Sequence, residues 1–143
     1  MTEGRRRPLS TAFVDTSVLV RYLTGEPADL AEQAAQILER SARVQITDVA
    51  VMEAAYVLAS LYRLSRRLVV DTLIGLVQKE NVVLVGLDKS IAIDALLLCR
   101  PSNRVSFGDA MIWAAARSAG AAIIFSFDAR FPHEGIDVRS SLS

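Results

Sequence analysis

Apolar residues follow two rhythms along this chain. Short runs rich in valine, isoleucine and phenylalanine are typical of buried strands, and longer segments with apolar residues every three or four positions are typical of amphipathic helices. The runs predict strands at 12–14, 44–46, 82–85 and 121–125, with a short edge strand at 136–138. The longer segments predict a helix that ends before Gly25 and helices over 27–42, 48–63, 65–79, 88–100 and 110–119.

Strands and helices therefore alternate along the whole chain. This order predicts an α/β protein whose mainly parallel sheet is covered by helices on both faces. The uninterrupted apolar run Val82–Val85 is typical of an interior strand in such a sheet. A length of 143 residues fits one domain. We expect this domain to span residues 12–143, after a flexible basic tail over residues 1–11 that contains Arg5, Arg6 and Arg7.

Composition limits the possible partners and location. Sixteen basic and sixteen acidic side chains cancel, so no net field attracts nucleic acid and any such contact must be local or carried by a metal ion. No apolar run approaches the roughly 18 residues of a membrane span, and we expect no membrane partner. Asp15 interrupts the apolar stretch after the basic tail, which argues against an export signal. A single cysteine, Cys99, permits no internal disulfide and favours the cytoplasm.

Four acidic side chains follow predicted strands closely. Asp15 comes directly after the first strand, Glu53 lies in the helix after the second, Asp109 opens the 110–119 helix and Asp128 follows the strand at 121–125. In open α/β sheets, ligands bind beyond the carboxyl ends of the strands. Glu53 also has apolar neighbours three and four residues away on both sides, which is unusual for a solvated glutamate. We therefore expect an acidic cluster at one rim of the sheet.

Each acid at a turn or a helix start also has a purely structural interpretation. Asp15 is a good N-cap for the helix that follows it. The spacing Ser106-x-x-Asp109 fits a capping box, and Asp128 suits a turn. Asp94 has mostly apolar neighbours as well, but it lies in the middle of a helix and far from any strand end. These alternatives stay open at the level of sequence.

A cluster of carboxylates points to a particular chemistry. Two such charges about 4 Å apart repel by roughly 4 kcal/mol at an effective dielectric constant near 20, so the acids must be protonated, dispersed or neutralised by a cation. Oxygen ligands select a hard cation, Mg²⁺ or Mn²⁺. Such an ion suits phosphodiester hydrolysis by a metal-activated water. No serine or cysteine has a histidine placed to activate it, and we expect His133, the only histidine, to be inert.

Four segments together resemble the motifs of the PIN-domain nucleases, namely Phe13–Leu19, the helical Glu53, Phe107–Ala110 and Phe125–Asp128. The length and order of elements are similar to those of the VapC-like ribonuclease toxins of toxin–antitoxin pairs. The resemblance implies a three-layer α/β/α fold with a five-stranded parallel sheet. It also implies catalysis and binding of Mg²⁺ or Mn²⁺ by the four acids, with Thr16 and Ser126 supporting the site.

The resemblance further implies a metal-dependent endoribonuclease that cuts structured RNA such as tRNA or rRNA, forms a homodimer and is silenced by an antitoxin protein. Two positions depart from the family pattern. Ser17 stands where many members carry asparagine, and Ser106 stands where many carry a further aspartate. The second departure removes one carboxylate from the rim, which affects the number of metal ions that can bind.

Other functions fit the sequence less well. A phosphatase that forms an aspartyl-phosphate would need a second aspartate two residues after Asp15, where this chain has Ser17, and a receiver domain would need paired acids there. The alternative from another class is a PIN-like module that binds RNA or protein without effective hydrolysis. Arg104 and Arg130 flank the predicted rim and are candidates for phosphate contact, although surface arginines commonly serve solubility.

Overall fold

Five strands and six helices alternate in the part of the chain that the structure, a computed structural model, describes, residues 9–143. They are β1 Leu9–Phe13, α1 Thr16–Thr24, α2 Ala28–Arg40, β2 Ser41–Ile46, α3 Asp48–Ser60, α4 Arg66–Val77, β3 Val82–Leu84, α5 Lys89–Cys99, α6 Phe107–Ser118, β4 Ile123–Phe125 and β5 Asp137–Arg139. This order confirms the predicted α/β class.

Side-chain caps explain where most of the helices begin. Asp15, Thr47, Ser65, Asp88 and Ser106 each accept a hydrogen bond from a backbone N–H in the first turn of α1, α3, α4, α5 and α6. Such a bond satisfies one of the amides that a helix start leaves without a partner. The structure therefore confirms the capping interpretation of Asp15 and of Ser106.

The five strands form two sheets within residues 9–143. One has the order β1-β2-β3 and the other joins β4 to β5, and every pairing is parallel. The single five-stranded sheet implied by the resemblance is absent there, because β4 pairs with β5 alone and makes no ladder with β1. Apolar periodicity reveals which segments are strands, but it carries little information about which strand edges meet.

The interior position expected for the 82–85 strand is also corrected. In the three-stranded sheet β2 is central and β3 lies at an edge. Val82 and Leu84 are nevertheless buried, and α4 packs against this strand. The apolar run thus reflects covered faces of the strand and not a central place in the ladder.

One hydrophobic core joins the sheets to the helices. Its largest fully buried side chains include Leu58 of α3, Leu73 of α4 and Leu96 of α5, and Trp113 of α6 is buried with them. Helix α6 packs against both α5 and α3. Three of the candidate acids lie on the packed helices or at their starts, namely Asp15 before α1, Glu53 in α3 and Asp109 in the first turn of α6.

The N-terminal boundary differs from the expected one. Strand β1 begins at Leu9, which pairs with Ser41, so residues 9–11 belong to the sheet. The rest of the expected basic tail, residues 1–8, lies outside the described residues.

Across the described range, no helix combines the length and the apolar character that a membrane crossing demands.

Candidate functional site

Asp15 lies two residues beyond β1 and caps α1. Its Oδ1 accepts hydrogen bonds from the Ser17 hydroxyl (2.6 Å) and from the Val18 amide (3.2 Å). Its other oxygen, Oδ2, accepts no hydrogen bond from residues 9–143. The side chain is exposed, so capping occupies one oxygen and leaves the second one accessible. The cap and the functional interpretation of Asp15 are therefore compatible.

These hydrogen bonds also determine the charge of Asp15. The bond from the Ser17 hydroxyl, followed by the bond from the Val18 amide, lowers the pKa of the Asp15 carboxyl below its ordinary value. Hydrogen bonds to the ionised form favour that form. Asp15 is thus a carboxylate at neutral pH, as a cation ligand must be.

Glu53 and Asp15 line one cavity of about 400 Å³, whose wall is formed by Phe13, Val14, Asp15, Thr16, Thr47, Val49, Ala50 and Glu53. The cavity lies beyond the carboxyl ends of β1 and β2, where ligands bind in open α/β folds. Glu53 is exposed, and its side chain makes no hydrogen bond to the described part of the protein. The structure therefore brings together the first two acids and Thr16, as the sequence predicts.

The surroundings of Glu53 differ from the expected ones. Of its apolar neighbours, Ala50 is buried, but Val49 and Tyr56 are exposed on the same surface as Glu53. The apolar pattern argued against an ordinary solvated helix face for Glu53. In the structure Glu53 lies on an exposed but partly apolar helix face beside the cavity.

Asp109 lies at the start of α6, where only half of the expected capping box forms. The Ser106 Oγ accepts a hydrogen bond from the Asp109 amide at 3.0 Å, but the Asp109 carboxylate accepts no hydrogen bond from the Ser106 amide in return. A Cβ built on Gly108 would come 3.3 Å from the Met52 Sδ, so this helix start lies against α3 one residue before Glu53. The half-buried Asp109 carboxylate is therefore not needed as a cap.

Asp128 lies in the turn that follows β4. Its Oδ1 accepts a hydrogen bond from the Arg130 amide at 2.8 Å, and its own amide donates to the Ser126 Oγ at 3.0 Å. These bonds confirm the turn predicted for Asp128 and give Ser126 a direct supporting contact. Asp128 and Ser126 line a second cavity of about 400 Å³ together with His133 and Arg139.

The four acids are thus distributed over several places. Asp15 and Glu53 share one cavity, Asp128 lines another, and Asp109 lines neither. Within the described range, no group of three or more His, Cys, Asp or Glu side chains is arranged to hold a metal ion. The sheet topology agrees with this distribution, since β1 and β4 form no ladder with each other in the described structure. The ligand roles of the four acids remain predictions.

The two arginines expected near the rim are engaged by local acids. Arg104 Nη2 lies 3.7 Å from Glu134 Oε1, and Arg130 Nε lies 3.8 Å from Asp128 Oδ1. Both arginines are largely exposed, and exposed pairs of this kind are weak. They remain accessible to a phosphate.

Sequence reasoning missed Arg66, at the first position of α4. Its guanidinium donates hydrogen bonds to the carbonyls of Cys99 and Val105, and to Asn103 Oδ1 at 3.4 Å, and it lies 4.7 Å from the centre of the Phe107 ring. It therefore ties α4 to the loop that leads into α6. No signal distinguishes it in the sequence, where it stands among other arginines.

A second missed residue is Phe127, between Ser126 and Asp128. Its side chain is 95% exposed, the largest exposure among the large apolar residues of the described chain. The sequence predicts that the strand ends at residue 125 and that a turn holds Asp128, but this pattern does not indicate how exposed the ring of Phe127 is. An aromatic ring in solvent beside an acid is therefore visible only in the folded chain.

Comparison with models of known protein families gives a match to residues 12–135, and the family is described as PIN domain. The match includes all four candidate acids and both supporting residues. Comparison with curated proteins gave no match.

Proposed function

The chain belongs to the PIN domain family, and from this membership we propose that it is a metal-dependent endoribonuclease and the toxin of a toxin–antitoxin pair. PIN domains are generally nucleases, and they generally use divalent metal ions. The observation that carries the proposal is the shared cavity of Asp15 and Glu53 beyond the ends of β1 and β2. Paired carboxylates at this edge of an α/β sheet suit a metal-assisted hydrolase.

The donor set of this cavity fits Mg²⁺ or Mn²⁺. Mg²⁺ is commonly bound through one or two carboxylates while it keeps several waters, so a pair of acids in an open cavity suffices. Asp15 offers an oxygen with no acceptor role in the described structure, and Glu53 offers an exposed carboxylate. We assign the ion to these two residues, and we propose that Asp109 and Asp128, which do not line this cavity, contribute to catalysis as further ligands that add little to the affinity for the ion. When bound, the ion supplies an activated water and stabilises the leaving oxygen.

The protein's own groups orient the substrate in this proposal. Ser17 and the start of α1 hold the Asp15 carboxylate in one position. The hydroxyls of Thr16 and Thr47 line the same cavity and can donate to a phosphate oxygen. The amino end of α1 also faces this region and favours an anion. These local groups compensate for the absence of a net positive charge.

The substrate that we propose is structured cellular RNA such as tRNA or rRNA. Arg104 and Arg130 are the proposed phosphate contacts, since each is exposed and only weakly paired. We place this activity in the cytoplasm, where the buried free thiol of Cys99 remains reduced.

A homodimer and a separate antitoxin complete the proposal. Phe13, Val49 and Tyr56 are exposed apolar side chains at or beside the Asp15–Glu53 cavity. Exposed apolar surface next to a functional cavity is typical of a surface that a partner covers. We assign this surface to the antitoxin, which would block the cavity.

RNA cleavage by the purified protein tests the proposal. The assay uses tRNA, rRNA and single-stranded RNA, each with Mg²⁺, Mn²⁺ or EDTA. Asp15→Asn and Asp109→Asn should abolish metal-dependent cutting. The matched control is Asp88→Asn, because Asp88 caps α5 with nearly the same geometry as Asp15. Asp88 accepts hydrogen bonds from Ser90 Oγ at 2.6 Å and from the Ile91 amide at 3.1 Å. It lines neither the cavity of Asp15 nor that of Asp128.

Each result has a clear meaning. Cutting that is lost in Asp15→Asn and retained in Asp88→Asn supports a nuclease whose site contains Asp15. Equal cutting by all variants would overturn the site.

A growth assay tests the toxin role. Induced expression of the wild type should arrest growth, and induced expression of Asp15→Asn should not. Growth unaffected by an active wild-type nuclease would remove the toxin role alone.

One observation favours a second candidate, a PIN-like module that binds RNA without effective hydrolysis. The described residues contain no group of three or more potential metal ligands. A module of this kind would bind the RNA panel equally well in EDTA and in Mg²⁺ and would cut none of it. This result would replace the nuclease proposal.

A further inference from the structure

Phe127 is the most unusual surface residue of the described chain. The ring is almost fully exposed and contributes nothing to the core, yet it lies in the turn that holds Asp128. Turns ordinarily carry small or polar residues at such places. An aromatic ring in solvent, adjacent to a candidate catalytic acid, therefore calls for a role in binding.

Phe127 lies between two adjoining cavities of different character. One, of about 400 Å³, combines the polar and charged side chains of Asp128, His133 and Arg139 with apolar ones such as Phe131 and Val138. The other, of about 440 Å³, is lined mainly by Phe125, Phe127 and Leu142. The two cavities share Ser126, Phe127 and Ser140. A polar half and an apolar half thus meet at the aromatic ring.

We propose that these two cavities form a binding subsite for one unpaired nucleotide of single-stranded RNA. The base stacks on Phe127 in the apolar half, and the ribose and phosphate lie in the polar half beside His133 and Arg139. This inference rests on the proposed function, and it names single-stranded RNA as the substrate segment next to Asp128.

The arrangement of Arg139 supports a phosphate in the polar half. Asp137 Oδ2 accepts from Arg139 Nε at 2.8 Å and lies 2.7 Å from Nη2, which leaves Nη1 without a protein acceptor in the described structure. A guanidinium held in this way loses little further freedom when it binds a phosphate. Arg130, with its side chain 69% exposed, adds a second donor nearby.

The aromatic ring favours an unpaired base. Both faces of a base inside a duplex are covered by neighbouring bases, so stacking on a protein ring requires an unstacked nucleotide. Stacking tolerates every base because each presents a π-face. The proposal therefore predicts a preference for single strands without a strong preference for sequence. An antitoxin segment or a second copy of the chain would instead use the apolar half alone.

Direct binding tests the subsite without any cleavage. The probes are fluorescein-labelled oligo(A), oligo(U) and oligo(C) RNA decamers, with an A·U duplex of equal length, and binding is measured by fluorescence polarisation in EDTA. Phe127→Ala should weaken binding of the single strands about 5- to 150-fold, the range that one stacked base provides. Phe127→Leu should lose most of the affinity, and Phe127→Trp should restore it.

The control variant is Leu61→Ala, which removes an equally isolated apolar side chain, 74% exposed, that lines neither cavity. It should bind as the wild type does. Equal affinity of wild type and Phe127→Ala for the single strands, or equal loss in the leucine and tryptophan variants, would overturn the subsite. A sedimentation coefficient that falls only in Phe127→Ala, with unchanged RNA binding, would overturn it in favour of an interface between copies.

Cleavage kinetics separate this inference from the proposed function. If the wild type cuts RNA, Phe127→Ala should raise KM and leave kcat nearly unchanged, because stacking contributes equally to the ground and transition states. An active nuclease with identical KM in both forms would refute the subsite and leave the nuclease intact. Single-strand binding that depends on Phe127 without any cutting would refute the nuclease and leave the subsite.

Discussion

At the residue scale, Asp15 and Asp88 show that a helix cap alone does not identify a functional acid. Each accepts a hydrogen bond from the serine two residues later at 2.6 Å and from a backbone amide three residues later. The pKa of each is lowered, first by the serine hydroxyl. What separates them is the cavity that Asp15 shares with Glu53. The cavity, and not the cap, is therefore what marks Asp15 as a candidate functional residue.

The first prediction concerns the charge of Asp15. Ser17→Ala removes the largest cause of its lowered pKa, so the pKa of Asp15 should rise toward the ordinary value. A lowered carboxyl pKa contributes stability above the unfolded-state value, and this contribution is lost as the pH falls through the folded-state value. The variant should therefore lose stability relative to wild type at neutral pH and little below both values. Carboxyl carbon NMR titration measures the pKa directly.

Ser90→Ala provides the matched control for this prediction, because Ser90 donates to Asp88 at the same distance of 2.6 Å. It should raise the pKa of Asp88 in the same way. Only Ser17→Ala should shift the acidic limb of the profile of cleavage rate against pH, and the shift should be toward higher pH. Equal movement of that limb in both variants would show that a general loss of stability, and not the charge of Asp15, controls the rate.

At the element scale, the start of α6 separates a structural serine from a candidate functional acid. Ser106 provides the cap, and the Asp109 carboxylate makes no capping bond. We expect Ser106→Ala to lower the free energy of unfolding by about 1 kcal/mol, within the usual range for loss of an N-cap. Asp109→Asn should change it by less than about 0.5 kcal/mol. Urea denaturation checks both values. A larger loss in Asp109→Asn would show that its carboxylate supports the fold.

Local signals account for what could be predicted about the elements. Strand and helix periods are properties of contiguous residues, and capping residues such as Thr47 and Asp88 mark helix starts directly. Arg66 illustrates what such signals omit. Its bonds reach 33 to 39 residues along the chain, to Cys99 and Val105, and no local pattern of residues encodes them. The link that Arg66 makes between α4 and the loop before α6 is therefore visible only in the folded chain.

At the scale of the whole molecule, the sequence indicates which acids follow strands but not how the folded chain groups them. Asp15 and Glu53 come together because β1 and β2 pair, and adjacent parallel strands end at one edge. Asp128 follows β4, which pairs with β5 and not with β1. Strand partnership depends on packing between distant segments, so four motifs in order could not reveal two cavities in place of one rim.

This division leads to a prediction about metal binding. If Asp15 and Glu53 hold the ion, Mg²⁺ or Mn²⁺ at about one hundred times its dissociation constant should stabilise the protein by roughly 2.7 kcal/mol. For a chain of this length, that corresponds to a rise in Tm of about 5–10 °C. Asp15→Asn and Glu53→Gln should abolish the rise, and Asp88→Asn should retain it. Differential scanning fluorimetry with and without metal measures all four proteins.

Asp128→Asn decides how the two cavities are related. In the structure Asp128 lines the cavity of Phe127 and His133 and not that of Asp15, so this variant should keep most of the metal-induced rise in Tm. A rise abolished as completely as in Asp15→Asn would mean that the ion draws both acids into one site.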